Sequence, residues 1–397
     1  MSTQLYVTSV EEMQAQATKS QATQVHDGLK GVTVGETRLS QVDGDQGKLC
    51  YRGIDVGTLA EKSTFEETVY LLWWDALPTA EQLATFSAEL AERRALAPDI
   101  HRLLQVLPGA AEPMDALRTA VSALTCTVDD DGDRCHEASV KTAMALTAKL
   151  PTITTAYYHY LNDEESIPPD PTLGHAANFL YMLHGERPTE MEARAMDVAM
   201  LLMADHGFNA STFAARVTSS TLADLYAAIT TAIGTLSGPL HGGANRRAME
   251  MLLDIGSADM AEAYLTSALA EGQRIMGFGH RVYRHVADPR SHTLRRMLYK
   301  LCEQHQRMDL YELAGAVADL MATKKSLYPN VDFYTAPILY LLRVPLTLFT
   351  PVFAISRIPG WTAQVMEQYA NNRLLRPLAR YVGAEHRDYI PLDRRQA

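Results

Sequence analysis

The spacing of apolar residues follows the helical period over most of the chain. Phe65, Val69 and Leu72 recur at intervals of three or four residues, and Pro78 follows them. This spacing predicts an amphipathic helix that ends before the proline. Between residues 194 and 204 nearly every position is apolar, which predicts a helix that is buried on most of its faces.

Alternation with a period of two, which is typical of strands, is scarce. The best example is residues 31–39, which precede the turn-rich residues 43–45, and it predicts one small β element near the N-terminus. A helical stripe in residues 222–236 and a short helix around residues 317–321, after Gly315, extend the helical pattern. The sequence therefore predicts a mainly helical, all-α protein.

A length of 397 residues is enough for a large core and predicts two or three domains or one large one. Apolar residues make up 47% of the chain and charged residues 21%, which excludes wholesale disorder. Because no glycine-, serine- or proline-rich linker divides the sequence, we expect domains that pack closely. Four cysteines without a C-x-x-C motif indicate free thiols in a reducing compartment; they are Cys50, Cys126, Cys135 and Cys302.

The net charge of −11 argues against a chain-wide grip on nucleic acid or on an anionic membrane. The first 24 residues are polar, so we expect no secretory signal. The most apolar stretch, residues 335–355, is interrupted by one arginine and three prolines, so we expect no membrane span. Together these features predict a cytoplasmic protein.

Several catalytic and cofactor motifs are missing from the sequence. There is no Walker A motif, no G-x-G-x-x-G motif after a strand, no G-x-S-x-G elbow and no H-E-x-x-H helix. The acidic residues 129–133 have the spacing of a calcium loop, but Arg134 stands where that loop needs glycine. His241 and His280 have no histidine or cysteine at metal-ligand spacing beside them, so we expect no metal site.

Three segments combine glycine with histidine. They are DHGFNASTF from Asp205, SGPLHGGANRRAMEML from Ser237 and MGFGHRVYRHVADPR from Met276. Glycines beside His241 and His280 let the backbone approach a ligand closely, and Asn245 is a candidate N-cap for the helix that follows His241. A single such histidine is more often structural than catalytic, but two of them in one chain favour a functional site.

Basic residues cluster close to His280. Residues 274–300 contain seven arginines and lysines but one acid. Arginine suits bidentate capture of carboxylate and phosphate groups, so this window predicts a polyanionic ligand. The residues expected to bind it lie in the less regular part of the window and are Arg281, Arg284 and Arg290. The adjacent Arg295 and Arg296 fit a solvated helix face.

One isolated acid, Asp332, lies among apolar neighbours in the segment YPNVDFY. Such a residue is either a helix cap or a carboxylate whose raised pKa suits it to act as a base. The sequence pattern alone leaves both interpretations open.

Together these segments resemble the citrate synthase family, which includes 2-methylcitrate synthases. Further blocks carry the resemblance: GLKGVTVGETRLSQVDGDQGKLCYRGIDVGTLAE from Gly28, FEETVYLLW from Phe65, AKLPTITTAYY from Ala148, HAANFLYML from His175, FAISRIPGW from Phe353 and NNRLLRP from Asn371. The blocks span about nine-tenths of the chain. The pattern is most similar to short citrate synthases that lack an N-terminal regulatory domain.

The resemblance implies a nearly all-helical homodimer whose subunits have a large domain and an inserted small one. The large domain is expected at residues 1–242 and 344–397 and the small domain at residues 243–343, with the active site in the cleft between them. Closure of the domains on the first substrate would complete the site for the second and exclude water. Arg376 is expected to reach into the neighbouring subunit's site.

The family's residue roles carry over to matching positions. The resemblance implies that Asp332 is the base, that His241 hydrogen-bonds the forming enol oxygen and that His280 donates a proton to the oxaloacetate carbonyl. The residues that match oxaloacetate ligands are His206, Arg290, Arg357 and Arg376. The residues that match the CoA-binding region are Arg284, Lys324, Lys325, Gly277, Phe278 and Gly279. The CoA thioester is a substrate, and no tightly bound cofactor is implied.

Three features depart from the family's pattern. Met203 stands where many members have histidine, and Arg246 stands where an acid is common. Ten positions instead of nine separate His280 from Arg290. The loop beside the expected catalytic histidine therefore contains an extra residue.

The implied activity is condensation of acetyl-CoA with oxaloacetate and water to give citrate and CoA. The alternative is a 2-methylcitrate synthase that uses propionyl-CoA, although the segments GPLHGGAN and PNVDFY are more similar to citrate synthases. A catalytically silent helical scaffold is a further alternative. Its mark would be loss of His241, His280 or Asp332, and all three are present.

Overall fold

The computed structural model describes residues 25–29, 31–128 and 132–395. Within these ranges the chain forms sixteen α-helices and one three-stranded sheet, which confirms the predicted all-α class. The strands are β1 (Ser40–Asp43), β2 (Lys48–Tyr51) and β3 (Ile54–Asp55). The helices are α1 (Val56–Lys62), α2 (Phe65–Trp74), α3 (Ala80–Glu92), α4 (Pro98–Val106), α5 (Pro113–Leu124), α6 (His136–Leu161), α7 (His175–His184), α8 (Glu190–Met203), α9 (Ala210–Ser219), α10 (Leu225–Leu236), α11 (Ala244–Ile255), α12 (Ala261–Ala270), α13 (Pro289–Gln304), α14 (Met308–Lys325), α15 (Val331–Leu341) and α16 (Phe349–Ala370).

The chain falls into two compact units. Thr37–Leu374 holds the sheet and all the helices just named, whereas Met1–Glu36 and Leu375–Ala397 together form the second unit. The described part of the second unit contains two short 3-10 turns. The boundaries expected for a small domain stay predictions; both lie in left-handed backbone, with φ of 74° at Gly243 and 57° at Arg343.

The small sheet is a meander with two short turns, at residues 44–47 and 52–53. β1 pairs antiparallel with β2, with Ser40 opposite Tyr51, and β2 pairs antiparallel with β3. The turn expected at residues 43–45 is confirmed, but the strand expected at residues 31–39 is wrong. Alternating side chains make a strand only where a second strand supplies ladder hydrogen bonds, and that pairing begins at Ser40.

Two of the expected helices form as their apolar spacing indicates. α2 begins after Thr64, whose hydroxyl accepts the Glu67 N–H, and it ends at Asp75 in left-handed backbone before Pro78 is reached. α8 begins with a reciprocal capping box between Thr189 and Glu192. Its residues 195–203 are buried, as the apolar run predicts.

Two other helices differ from expectation at their ends. The helix expected within residues 222–236 starts at Leu225, because the Asp224 carboxylate accepts the Ala227 N–H and caps it. The helix expected after Gly315 forms, but it is longer than predicted, since α14 runs through that glycine from Met308 to Lys325. A glycine inside a helix costs only about 1 kcal/mol, which the buried face of α14 offsets.

The elements that carry the candidate site meet around one buried helix. α8 packs against α13, α15 and α16, and α13 packs against α15. Asp205 and His206 follow the C-terminus of α8, while Arg290 and Asp332 lie in the first turns of α13 and α15. No helix in the described part of the chain has the length and hydrophobicity to cross a membrane.

Candidate active site

A short strand-like contact joins the GFG segment to the residues that precede α15. The Gly279 N–H donates to the Tyr328 carbonyl at 3.1 Å, and the Asn330 N–H donates to the Gly277 carbonyl at 2.9 Å. The Asn330 side-chain amide donates to the Gly279 carbonyl at 3.0 Å. These bonds hold His280, which follows Gly279, close to the start of the helix that carries Asp332.

The glycine at position 277 is required by this close approach. Its φ is 82°, and a Cβ there would lie 2.8 Å from the Cβ of Phe333. Phe278 is buried, with its ring 4.6 Å from that of Phe333. Of the three expected CoA contacts in this segment, Gly277 and Phe278 therefore pack against α15, while Gly279 faces Leu327.

His280 is fixed by its own loop. Its Nδ1 accepts the backbone N–H of Val282 at 3.0 Å and that of Tyr283 at 3.2 Å. Because Nδ1 is an acceptor, the proton of the neutral ring lies on Nε2. Burial lowers the pKa of His280 to about 4, helped by the nearby charge of Arg290. At neutral pH the ring is an uncharged donor.

His241 lies in the turn between α10 and α11, and its tautomer is the opposite one. Its Nε2 accepts the Ser211 N–H at 3.2 Å and lies 2.8 Å from the Ser211 hydroxyl. That hydroxyl also accepts a bond from the Trp361 indole. The proton of neutral His241 is therefore on Nδ1. Burial and then the charge of Arg357 lower the pKa of His241 to about 4.

The backbone after His241 is tightly constrained. A Cβ at Gly242 would lie 2.0 Å from the Leu236 carbonyl oxygen. The N-cap of α11 is Gly243, at φ 74°. The expectation that Asn245 caps this helix is therefore wrong; its side chain donates to the Phe349 carbonyl and accepts the Arg246 N–H.

His206 completes a cluster of aromatic rings. It is buried, its ring centre lies 5.1 Å from that of His280, and its Nε2 lies 3.1 Å from the Tyr283 hydroxyl. Burial, together with the positive charge of Arg290, holds the pKa of His206 well below its usual range. Two uncharged imidazoles, those of His206 and His280, therefore lie side by side.

Two buried guanidinium groups face this region. Arg290 makes a bidentate pair with Asp288, at 2.9 and 2.7 Å, and Asp288 also accepts the Val331 N–H. Asp288 raises the pKa of Arg290 against the opposing effect of burial. The Nε of Arg357 donates to the Met203 carbonyl at 2.5 Å, and burial lowers the pKa of Arg357 to about 10, so it stays charged at neutral pH.

Asp332 is a partly buried carboxylate near both arginines. Asn330 is the N-cap of α15 and accepts the Asp332 N–H, so the interpretation of Asp332 as the cap is wrong. Burial raises the pKa of Asp332 to about 6, opposed by Arg290 and Arg357 and reinforced by Asp288. The alternative interpretation, a carboxylate suited to act as a base, agrees with this environment.

The expected site residues outside this group are mostly exposed. Arg284 and Lys325 are exposed, and Lys324 pairs with Glu262 at 3.0 Å. Arg376 is exposed and belongs to the unit formed by the terminal segments. Arg246, at the position where an acid is common, pairs with Glu250. The structure therefore brings together five of the expected residues: His206, His280, Arg290, Asp332 and Arg357.

The electrostatic environment of His241 links it to the same region, since Arg357 acts on the pKa of His241, His206 and Asp332 alike. A partly buried base, uncharged N–H donors and fixed positive charges suit the deprotonation of a weak carbon acid next to an anionic co-substrate. Among the described residues, no group of three or more histidine, cysteine or acidic side chains is arranged to hold a metal ion. Asp129 and Asp131 of the acidic loop lie outside those residues.

Sequence reasoning missed three residues that shape this site. Ser211 sets the tautomer of His241, Asp288 pairs with Arg290, and Tyr283 bonds to His206. In the D-P-R segment only the arginine was predicted to be a site residue. The aspartate two residues before it is a signal from which the ion pair could have been predicted. The contacts of Ser211 and Tyr283 join distant segments and leave no local pattern.

Comparison with known proteins identifies the family. Residues 28–378 match the family model described as "Citrate synthase, C-terminal domain". The chain is 48% identical over 373 residues to the citrate synthase of Haloferax volcanii, which covers 93% of this chain and 98% of that protein. It is 41% identical over 373 residues to the 2-methylcitrate synthase of Shewanella oneidensis, with 93% and 97% covered. The chain belongs to the citrate synthase family and is an acyltransferase.

Solved structures agree with this assignment. The citrate synthase of Thermotoga maritima matches with a TM-score of 0.85 and 40% identity, and the match covers 94% of this chain and all 100% of that one. The citrate synthase of Thermoplasma acidophilum, in a ternary complex with carboxymethyl coenzyme A and oxaloacetate, matches with a TM-score of 0.88 and 30% identity over 94% and 100% of the two chains.

Proposed function

We propose that this enzyme is a citrate synthase that prefers acetyl-CoA and condenses it with oxaloacetate and water to give citrate and CoA. The observation that carries the proposal is the placement of Asp332. Its partly buried carboxylate lies in the region that also holds two guanidinium groups and the uncharged His280. The ligands named for the Thermoplasma acidophilum structure support the choice of oxaloacetate and a CoA thioester.

The first step is removal of a proton from the methyl group of the thioester. Asp332 is the base, and its raised pKa makes it a stronger base than an exposed carboxylate. A carboxylate is still weak for this task, so negative charge on the thioester oxygen must be stabilised as it develops. We assign that role to the Nδ1–H of His241, which the bond from Ser211 to Nε2 leaves free to donate.

The second step forms the carbon–carbon bond. The enol carbon attacks the ketone carbon of oxaloacetate as the thioester carbonyl re-forms, and His280 donates its Nε2 proton to the ketone oxygen, which becomes the hydroxyl of the citryl thioester. His206, Arg290 and Arg357 bind the oxaloacetate carboxylates, with Arg376 supplied by a second copy in a homodimer. Water then attacks the citryl thioester carbonyl, the carbon–sulfur bond breaks, and CoA leaves as the thiol.

The CoA moiety itself carries phosphate groups. Exposed Arg284, Lys324 and Lys325 are assigned to it, because lysine and arginine side chains are suited to phosphate and their position is accessible. The extra residue of the loop between His280 and Arg290 lies beside Arg284. We therefore expect the phosphate contacts to differ in detail from those of relatives without it.

The decisive experiment measures CoA-thiol release by the purified enzyme with oxaloacetate and either acetyl-CoA or propionyl-CoA. We expect a higher kcat/KM for acetyl-CoA. One extra methylene is worth only about 1–3 kcal/mol of discrimination, so measurable activity with propionyl-CoA is also expected. The comparison needs equal enzyme concentrations and saturating oxaloacetate.

Two other outcomes would change the conclusion. A higher kcat/KM for propionyl-CoA would identify a 2-methylcitrate synthase, the activity for which the Shewanella oneidensis relative is named. Release of no CoA with either thioester would favour the catalytically silent scaffold.

A further inference from the structure

The structure assigns a positioning role to Tyr283, a residue that bridges His206 and His280. Tyr283 is 3% exposed and lies in the loop between α12 and α13. Its hydroxyl lies 3.1 Å from Nε2 of His206, and its backbone N–H donates to Nδ1 of His280. This inference rests on the function proposed above, because it concerns the two histidines assigned to oxaloacetate.

The ring of Tyr283 packs against both imidazoles, which also contact each other. Its centre lies 4.7 Å from that of His280, with the planes tilted by 31°, and 5.5 Å from that of His206, with the planes nearly perpendicular at 85°. Ring contacts of this kind fix orientation in addition to burying apolar surface. The side chain therefore restricts both histidines, one through its hydroxyl and the other through its ring.

The Tyr283 hydroxyl keeps its proton, and with it the capacity to donate, at every pH at which the enzyme would work. Burial raises the pKa of Tyr283, and the negative charges of Asp288 and Asp43 act in the same direction against Arg290. In the arrangement that we propose, the phenol donates to Nε2 of His206, and the proton of neutral His206 lies on Nδ1. The bond thus selects one tautomer as well as one rotation of the His206 ring.

The backbone of Tyr283 is held from the outside by the β1–β2 turn. A Cβ at Gly44 would lie 2.5 Å from the Val282 carbonyl oxygen, and one at Gly47 would lie 3.1 Å from a methyl group of Val286. The turn therefore lies directly against the loop on both sides of Tyr283. With the backbone confined in this way, the tyrosine ring has little freedom to move out of the histidine cluster.

Free rotation of His206 would lower the fraction of molecules that are ready to bind oxaloacetate, and apparent affinity falls by that fraction. Removing the hydroxyl alone should therefore raise the KM for oxaloacetate. Removing the ring as well should also release His280, whose hydrogen bond acts on the transition state, and should therefore lower kcat. If Tyr283 had only a structural role, loss of its hydroxyl would not raise the KM for oxaloacetate while leaving kcat unchanged.

The experiment compares Tyr283→Phe, Tyr283→Leu and the wild-type enzyme in steady-state kinetics, with oxaloacetate affinity measured separately by calorimetry. For Tyr283→Phe we expect the KM and Kd for oxaloacetate to rise roughly three- to tenfold, the range of one hydrogen bond, with kcat within about twofold. For Tyr283→Leu we expect kcat to fall at least about tenfold as well. The KM for acetyl-CoA should stay within about twofold in Tyr283→Phe.

The matched control is Tyr299→Phe, which removes the hydroxyl of an exposed tyrosine on α13 that packs on Tyr311. It should leave all constants unchanged. The assignment would be overturned if Tyr283→Phe kept the wild-type KM and Kd for oxaloacetate. It would also be overturned if Tyr283→Phe lowered both kcat and the unfolding temperature while the KM for oxaloacetate stayed unchanged. If the wild-type enzyme releases no CoA, the proposed function fails. The calorimetric comparison of oxaloacetate binding still tests Tyr283 in that case.

Discussion

The two histidines assigned to the reaction, His241 and His280, present opposite ring nitrogens. Backbone N–H donors occupy Nε2 of His241 and Nδ1 of His280, so the protons lie on Nδ1 and Nε2 respectively. Burial lowers the pKa of both rings to about 4. Both are therefore uncharged at neutral pH. Each ring still has one N–H group, which can donate a hydrogen bond to a developing oxyanion.

Asp332 is expected to control the acid side of the pH profile. A base must be ionised, so kcat/KM should rise with pH through about 6, the raised pKa of Asp332. Asp332→Ala should lower kcat by at least roughly 10²-fold, the lower end of general acid–base catalysis. Measurement of kcat and kcat/KM between pH 5 and pH 8 checks both statements.

His280→Ala provides the matching control. It should also lower kcat by at least roughly 10²-fold. The rise of kcat/KM near pH 6 should persist in this variant, because the pKa of His280 lies at about 4. Near-normal turnover in either variant would contradict its assigned role, and loss of the pH 6 transition in His280→Ala would assign that transition to the histidine.

The residue types of the site can be predicted from the sequence, but their protonation states cannot. Glycines beside His241 and His280 and the isolation of Asp332 among apolar residues are local patterns, and they indicate a functional site by themselves. The tautomers depend on backbone N–H groups 30 positions away for His241 and two positions away for His280. Raised and lowered pKa values depend on burial, which the tertiary fold alone supplies.

At the scale of elements, the β1–β2 turn contacts the loop that carries His280 and Tyr283. Gly44 has no room for a side chain, because its Cβ would meet backbone and side-chain atoms of Val282 at 2.5 and 2.8 Å. A backbone oxygen does not move aside as the end of a flexible side chain does. The turn and the loop therefore have to fit each other closely, and any bulk added to the turn must displace the loop.

Gly44→Ala is expected to weaken catalysis through this contact. Overpacking of this kind typically costs about 1–3 kcal/mol, and displacement of the loop should lower kcat/KM by roughly tenfold or more. The measurement is kcat/KM together with thermal unfolding. Gly109→Ala is the control, since a Cβ there has no atom within 4 Å, and it should behave as wild type. Wild-type kcat/KM in Gly44→Ala would show that the loop tolerates the shift.

Prediction from the apolar pattern succeeds for some helices and strands of this fold and fails for others. α8 can be predicted because its run of apolar residues is visible in the sequence without knowledge of the segments that pack against it. The strand expected at residues 31–39 does not form because strand formation depends on a second segment. The start of α10 is set by the Asp224 cap, whose single hydrogen bond outweighs the apolar periodicity that begins at Leu222.

At the scale of the whole molecule, net charge is a poor guide to the ligand. The chain carries −11 overall, yet the site contains the buried guanidinium groups of Arg290 and Arg357. Their effects reach His206 and Asp332 in the same region. Charges beyond roughly one Debye length, about 8–10 Å, are largely screened when they are exposed. The acidic surface therefore leaves a positive site intact.

A second buried group of charges lies away from the reaction, between α2 and α8. Asp197 accepts the Phe65 N–H at 2.8 Å and pairs with Arg194 at 2.6 Å. Burial raises the pKa of Asp197 to about 7, and the charge of Glu66 adds to the effect. Glu66 in turn accepts the His175 N–H. Folding thus brings two carboxylates near each other out of water, so one of them holds a proton around neutral pH.

This pair predicts a pH dependence of stability with a definite sign. An acid whose pKa is raised by folding binds its proton more tightly in the folded state, so its contribution is full at low pH and is lost as pH rises from about 4 to about 7. Asp197→Asn keeps an acceptor for the Phe65 N–H but carries no charge. The difference in Tm between this variant and wild type should therefore increase, in favour of the variant, by at least about 2 °C between pH 5 and pH 8.

Thermal unfolding of both proteins across that range is the measurement, and taking the difference removes the titration of other groups. Glu66→Gln removes the neighbouring charge that raises the pKa of Asp197, so it should move the transition to lower pH. Asp254→Asn, at an exposed position on α11, should give a difference that is flat with pH. A flat difference for Asp197→Asn as well would mean that Arg194 keeps Asp197 ionised throughout, and that the salt bridge outweighs burial and the charge of Glu66.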